Sequence, residues 1–157
     1  MAFRGQHEHS LDAKDRLTIP ARFRAALSEG VVLTAGLDPC VEVYPAGDYA
    51  SHEQEALAQL NPLSRSDRMM RRRLVARSHD DSLDSAGRIH LPKHLIDHAG
   101  LEGPCAVVGI ANQLEIWNAE RCASTTWRST PALRRWQRRW PADRPAPEGV
   151  PADGGHT

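Results

Sequence analysis

Several things are scarce in this 157-residue chain, and each scarcity narrows what it can be. Three cysteines, Cys40, Cys105 and Cys122, form no CxxC pair and leave one over under any bridging scheme, which argues against a disulfide scaffold and fits a reducing compartment. No apolar run approaches the roughly 18 residues of a spanning helix, and the segment from Met1 to Ser10 lacks the apolar stretch of a signal peptide. The expectation is a soluble, cytoplasmic chain that does not engage a membrane. Net charge is also missing: 20 Lys plus Arg balance 20 Asp plus Glu, so no global field announces a polyanionic partner. Lysine is almost absent, with Lys14 and Lys93 the only two, and positive charge is therefore carried by guanidinium groups. Enzyme signatures are absent too. There is no glycine loop to cradle phosphate, no Gly-x-Ser-x-Gly elbow and no cysteine with a motif-level partner. No catalytic residue and no cofactor are assigned.

What is present is a repeat. Leu11-Asp12-Ala13-Lys14-Asp15-Arg16-Leu17-Thr18-Ile19-Pro20 returns 72 positions later as Leu83-Asp84-Ser85-Ala86-Gly87-Arg88-Ile89-His90-Leu91-Pro92. Internal self-similarity fixes architecture before any other feature is considered. At this length, two halves of about 70 residues are each marginal alone, so a shared core is the expected arrangement.

The elements follow the same order twice. Phe3 to Leu11 alternates as a strand, the turn from Asp12 to Asp15 reverses it, and Arg16 to Ile19 opens the return strand. Pro20 stops the pairing and suits the start of a short helix to about Leu27, which Gly30 ends. Val31 to Thr34 and Val41 to Tyr44 read as strands joined through Gly36, Asp38 and Pro39. The second half gives a strand to Leu83, a turn, a strand, Pro92, a helix to about Ala99, and strands from Cys105 to Val108 and from Leu114 to Trp117. A helical linker separates the copies. Its second helix starts at Ser64, with Asp67 placed for a reciprocal capping box, and from Arg65 to Arg77 the chain holds six arginines and one acid. Residues 29 to 55, by contrast, hold acids and no base. Beyond Arg121 the pattern fails. Leu133, Trp136 and Trp140 hint at a short helical stripe, and disorder is expected from about Pro141.

The repeated turn carries the chemistry. An Asp that opens a tight turn accepts hydrogen bonds from amides two or more positions on and locks the turn before a partner arrives. The fourth turn residue needs positive φ, which Gly87 supplies freely and Asp15 tolerates. Arg16 and Arg88 then project at the tip, where a preorganised guanidinium can read a base edge, clamp a phosphate or simply pair with its own Asp. Two equivalent turns related by a two-fold suit repeated DNA half-sites.

Together these residues resemble the paired Asp-x-x-Gly-Arg motifs of the MraZ family, whose members regulate the bacterial division and cell-wall gene cluster. Met1 to Gly5, Val43-Tyr44-Pro45, Asn61-Pro62 and Glu115-Ile116-Trp117 match it as well, so the resemblance covers about residues 1 to 121. It implies a β-rich α+β fold, an internally duplicated double-split (swapped-hairpin, AbrB-like) β-barrel with peripheral helices. The units expected are a first AbrB-like repeat over 1–47, a helical linker over 48–77, a second repeat over 78–121 and a divergent tail over 122–157. The resemblance further implies repression of transcription, double-stranded DNA of the protein's own promoter as partner, ring-shaped homo-oligomers and a nucleoid location. The family's DNA-facing positions fall on Asp12, Lys14 and Arg16, and on Asp84 and Arg88. Asp15 departs from the pattern, standing where the family has Gly and bringing the charge of the first motif to zero.

Other signals are weaker. His94 and His98 lie four apart on a helix and His7 and His9 share a strand face, but no third and fourth ligand accompanies either pair, so no metal is assigned. The alternative to a DNA-binding repressor is an AbrB-like interaction module, either of the antitoxin type or a structural ring. Antitoxins of that type carry one motif per chain; this chain has two.

Overall fold

The computed structural model describes residues 2–127 and 131–139. Prolines punctuate both copies. Pro20 (φ −50°) ends β2 (Arg16–Thr18) and caps α1 (Ala21–Arg24), which tightens into a 3₁₀ turn at Ala25–Leu27. Pro92 (φ −59°) ends β6 (Arg88–His90) and caps α4 (Lys93–Ala99) in the same way. The remaining strands are β1 (Phe3–Ser10), β3 (Val31–Ala35), β4 (Cys40–Pro45), β5 (His79–Asp81), β7 (Pro104–Ala111) and β8 (Gln113–Asn118). Helices α2 (Ala46–Ala58) and α3 (Arg65–Ala76) lie between β4 and β5, and α5 (Ala119–Cys122) and α6 (Pro131–Arg139) follow β8.

The strands make a six-stranded antiparallel sheet in the order β1-β7-β8-β4-β3-β5 and a separate two-stranded ribbon, β2-β6. This order reads the same from either edge when the copies are exchanged, since β1, β7 and β8 are the counterparts of β5, β3 and β4. The registers say the same in more detail. In the ribbon Leu17 pairs with Ile89, its own counterpart 72 positions on, and in the sheet Glu42 pairs with Glu115, which occupy matching places in Val41-Glu42-Val43-Tyr44 and Leu114-Glu115-Ile116-Trp117. An antiparallel ladder centred on a residue and its own counterpart is what an approximate two-fold axis produces.

One expectation is corrected here. β1 and β2 do not pair as a hairpin across the Asp12 turn: β1 pairs with β7 and β2 with β6, both from the second copy. Period-two alternation tells which face of a strand is buried but not which neighbour it has. The approach of β1 to β7 is close enough to require glycine, because a Cβ on Gly109 would lie 2.5 Å from the Arg4 backbone nitrogen. The capping box at α3 is also half formed. Ser64 accepts from the Asp67 amide at 3.3 Å, but the Asp67 carboxylate turns outward and accepts from the Asn61 amide at 2.8 Å.

Alternation along the strands puts Val31, Leu33, Val41, Val43, Val107, Leu114 and Ile116 on one face of the sheet, where Leu17, Ile19, Ile89 and Leu91 of the ribbon pack against them. The other face is covered by α2 through Tyr49, against Val32 and Tyr44, and by α5 through Cys122, beside Cys40 and Trp117. All three cysteine side chains are buried in these clusters. In α6, Leu133 is 37% exposed, while Trp140 and the disorder expected from Pro141 fall outside the described residues.

Because Leu17 is fully buried at the point where the copies meet, Leu17→Ala should cost about 2–5 kcal/mol and unfold the chain in one transition. Urea denaturation checks this. Two separated transitions, with only the first shifted, would show that each copy folds on its own.

Candidate nucleic-acid interface

Both turns are built by the same bonds. Asp12 accepts from the amides of Lys14 at 2.8 Å and Arg16 at 3.0 Å through one carboxylate oxygen, and from the Arg16 Nε at 2.8 Å through the other. Asp84 accepts from the amides of Ala86 and Arg88, both at 2.9 Å, and from the Arg88 Nε at 2.8 Å. The backbone closes each turn identically: the Asp amide donates to the Arg carbonyl, at 2.9 Å for Asp12 and 3.0 Å for Asp84, and the residue before Arg donates back to the Asp carbonyl. That residue has positive φ in both copies, 59° at Asp15 and 75° at Gly87.

The turns are then bound to each other. The Ile19 amide donates to the Gly87 carbonyl and the Leu91 amide to the Asp15 carbonyl, each at 2.9 Å. The Arg88 Nη1 also comes within 3.8 Å of the Asp12 carboxylate. Asp12, Lys14, Arg16, Asp84 and Arg88 thus fall in one cluster across the β2-β6 ribbon. Each arginine is held through Nε, which fixes the plane of the guanidinium in a partly exposed side chain; the Arg88 Nη1 leans toward Asp12 of the other turn. Each aspartate accepts three hydrogen bonds from its own turn. The Arg16 amide, first among several donors, holds the Asp12 carboxyl down at about 2, and the Arg88 amide lowers Asp84 in the same sense.

The surroundings of the two turns differ. The Arg24 side chain crosses Gly87, donating from Nε to the Ile19 carbonyl at 2.9 Å, so a Cβ on Gly87 would collide with its Nε, Cδ and Cζ. Arg24 corresponds to Ile96 in the second copy, and Ile96 lines a shallow cavity with Asp15, Lys93 and Asp97. Gly is required at 87 because Arg24 occupies the space a Cβ would take, whereas Asp15 borders a cavity that Ile96 also lines. Sequence reasoning placed Arg24 in the run that resembles the family but gave it no role. The signal was available in the repeat itself, where positions 15/87 and 24/96 both change between the copies.

The histidine pairs serve other ends. His94 contacts the Arg77 carbonyl and His98 the Asp38 carbonyl, each at 3.1 Å, so the two imidazoles go to separate loops. His7 lies edge-on to the Phe23 ring with centroids 5.5 Å apart.

Compared with known proteins, the chain matches the family model of the MraZ protein over residues 2–73 and 75–124, a span that includes both turns. The chain belongs to the MraZ family. Among curated relatives it is 42% identical over 123 residues to the transcriptional regulator MraZ of Pediococcus pentosaceus, covering 78% of this chain and 85% of that one. It is 43% identical over 118 residues to the protein of the same name from Limosilactobacillus reuteri, covering 74% and 82%, and 39% identical over 122 residues to that of Limosilactobacillus fermentum, covering 78% and 85%. The MraZ match stops at residue 124, before α6 begins.

Two outcomes test this geometry. Gly87→Ala should destabilise the fold by about 1–2 kcal/mol, since it puts a Cβ in the left-handed region and displaces Arg24, whereas Asp15→Gly should be tolerated; equal losses in thermal melts would contradict the contrast between the turns. For Asp12, a folded pKa near 2, below the ordinary value of about 3.9, means that its contribution to stability is complete above about pH 4 and is lost as pH falls through about 2. A carboxyl NMR titration with its midpoint near 4 would show that the turn bonds do not hold in solution.

Proposed function

We propose that this chain is a sequence-specific DNA-binding transcriptional regulator, a repressor acting on its own promoter region ahead of division and cell-wall genes. It reads repeated half-sites in double-stranded DNA through the paired Asp-x-x-x-Arg turns, with Arg16 and Arg88 as contacts, Lys14 as a phosphate contact and Asp12 and Asp84 as turn-setters. The observation that carries this is the two-fold ribbon: both guanidinium groups are oriented by their own aspartates on one rigid β2-β6 pair, so little side-chain entropy is lost on contact. The curated relatives bear the name transcriptional regulator, which agrees. The facing of the six-stranded sheet and the ribbon across one core supports the double-split barrel, the two sheets being its halves and the exchanged strands its swapped hairpins.

The protein acts as a homo-oligomer, in a ring, associated with the nucleoid. Support comes from charges unpaired within one chain. Among the described residues none of the six arginines between 65 and 77 forms an ion pair, and Met69 and Val75 of the same helix are 59% and 42% exposed. Glu42 and Glu115 meanwhile face each other without a cation, held by the Tyr44 hydroxyl at 3.1 Å and the Trp117 Nε1 at 2.8 Å. Arginine surface on one copy and acidic surface on the next make a heterologous contact, the kind that closes rings.

Arg16→Ala or Arg88→Ala should weaken binding to the upstream duplex by about 1–3 kcal/mol where the side chain reads a base. Wild-type affinity in the double variant, measured by anisotropy with the assembly unchanged, would remove DNA from these turns. Asp15→Gly should strengthen binding by roughly fivefold at low salt and less at high salt, since one partly exposed acid next to Arg16 in the chain is removed; unchanged or weaker binding contradicts that. Light scattering showing a monomer at micromolar concentration would contradict the oligomer.

A further inference from the structure

We infer that Arg24 is a third arginine of the DNA-binding face, a phosphate contact belonging to the second turn only, so that the two half-site readers are electrostatically unequal. The inference rests on the proposed function and adds to it a residue outside the repeated motif.

Three observations carry it. The guanidinium of Arg24 lies over Gly87, the residue immediately before Arg88, and is anchored there by its Nε bond to the Ile19 carbonyl at 2.9 Å. No acid pairs with it: among the described residues the ion pairs are those of Arg16, Arg88 and Lys93. The second turn thus carries Arg24 and Arg88 against Asp84, a net charge of +1. The first carries Lys14 and Arg16 against Asp12 and Asp15, a net charge of zero, and its flanking Lys93 is taken up by Asp97 at 3.3 Å.

The third observation is local. Arg22, two residues earlier on the same helix, stands over the Phe23 ring at 5.3 Å from its centroid, and its Nη1 lies near Gly5, against β1 rather than the turn. Arg24 alone of the α1 arginines reaches the ribbon. Like Arg16 and Arg88 it is held through Nε, and it is partly exposed, so its terminal nitrogens are not used by that bond and its charge sits beside the residue that precedes Arg88.

The test is a fluorescence-anisotropy titration of the full chain with the duplex from upstream of its own reading frame, over a salt series, for wild type, Arg24→Met, Arg24→Lys and Arg88→Ala. Loss of one phosphate contact should lower the slope of log affinity against log salt by about one unit in Arg24→Met, while Arg24→Lys, which keeps the charge, should retain the wild-type slope. Should Arg24→Met fail to fold, Arg24→Gln, which keeps a donor for the Ile19 carbonyl and loses the charge, should show the same fall. A wild-type slope in the uncharged variant, with Arg88→Ala weakened, would overturn the assignment and leave Arg24 as a residue that only holds the turn. Wild-type binding by Arg88→Ala as well would overturn the DNA-binding function itself, and this inference with it.

Discussion

Two backbone hydrogen bonds, from Ile19 to the Gly87 carbonyl and from Leu91 to the Asp15 carbonyl, hold each turn to the strand that leaves the other. In both, the acceptor is the positive-φ residue of the turn, so the unusual backbone that closes one turn also presents the carbonyl that the other copy needs. The consequence extends through the molecule. With β2 committed to β6, β1 is left to complete the sheet of the opposite copy beside β7, and the apolar faces of ribbon and sheet become one core. A half of about 70 residues would be marginal alone. Exchange makes the duplication a single unit and places both motifs on one face.

Within that frame the copies have diverged where the frame permits it. Each turn keeps the same internal bonds, in which one Asp accepts from two amides and a guanidinium. The neighbours of the turns are not so constrained. Arg24 lies over Gly87, whereas its counterpart Ile96 lines a cavity shared with Asp15. Where the axis crosses the six-stranded sheet identity persists, and it is costly there. Glu42 and Glu115 oppose each other in half-buried positions, and burial first, then Glu42 and Asp38, push the Glu115 carboxyl upward while the Trp117 donor pulls it down.

Much of this was legible in the chain. The spacing of Asp12 and Arg16 against Asp84 and Arg88 gave the turns, the prolines gave the helix starts, and the matching of Val41-Glu42-Val43-Tyr44 to Leu114-Glu115-Ile116-Trp117 gave the extent of the repeat. Pairing was not legible, because local alternation carries no information on partners: β1 reads as the mate of β2 and is the mate of β7. Nor was the half-formed cap at Ser64, since the Asp67 carboxylate had a second amide, that of Asn61, within reach. Arg24 was hidden for a different reason. Its role depends on a glycine 63 positions away, and only comparison of the copies position by position brings the two together.

The most direct measurement is the salt dependence of binding between the unaltered chain and the duplex upstream of its reading frame, set beside a scrambled duplex of equal length. Arginines presented on a two-fold ribbon to the DNA backbone and base edges predict affinity that falls linearly with log salt, steeply enough to reflect several phosphate contacts, with tighter binding to the native sequence. A slope near zero, or equal affinity for both duplexes throughout the series, would contradict sequence-specific recognition through the paired turns.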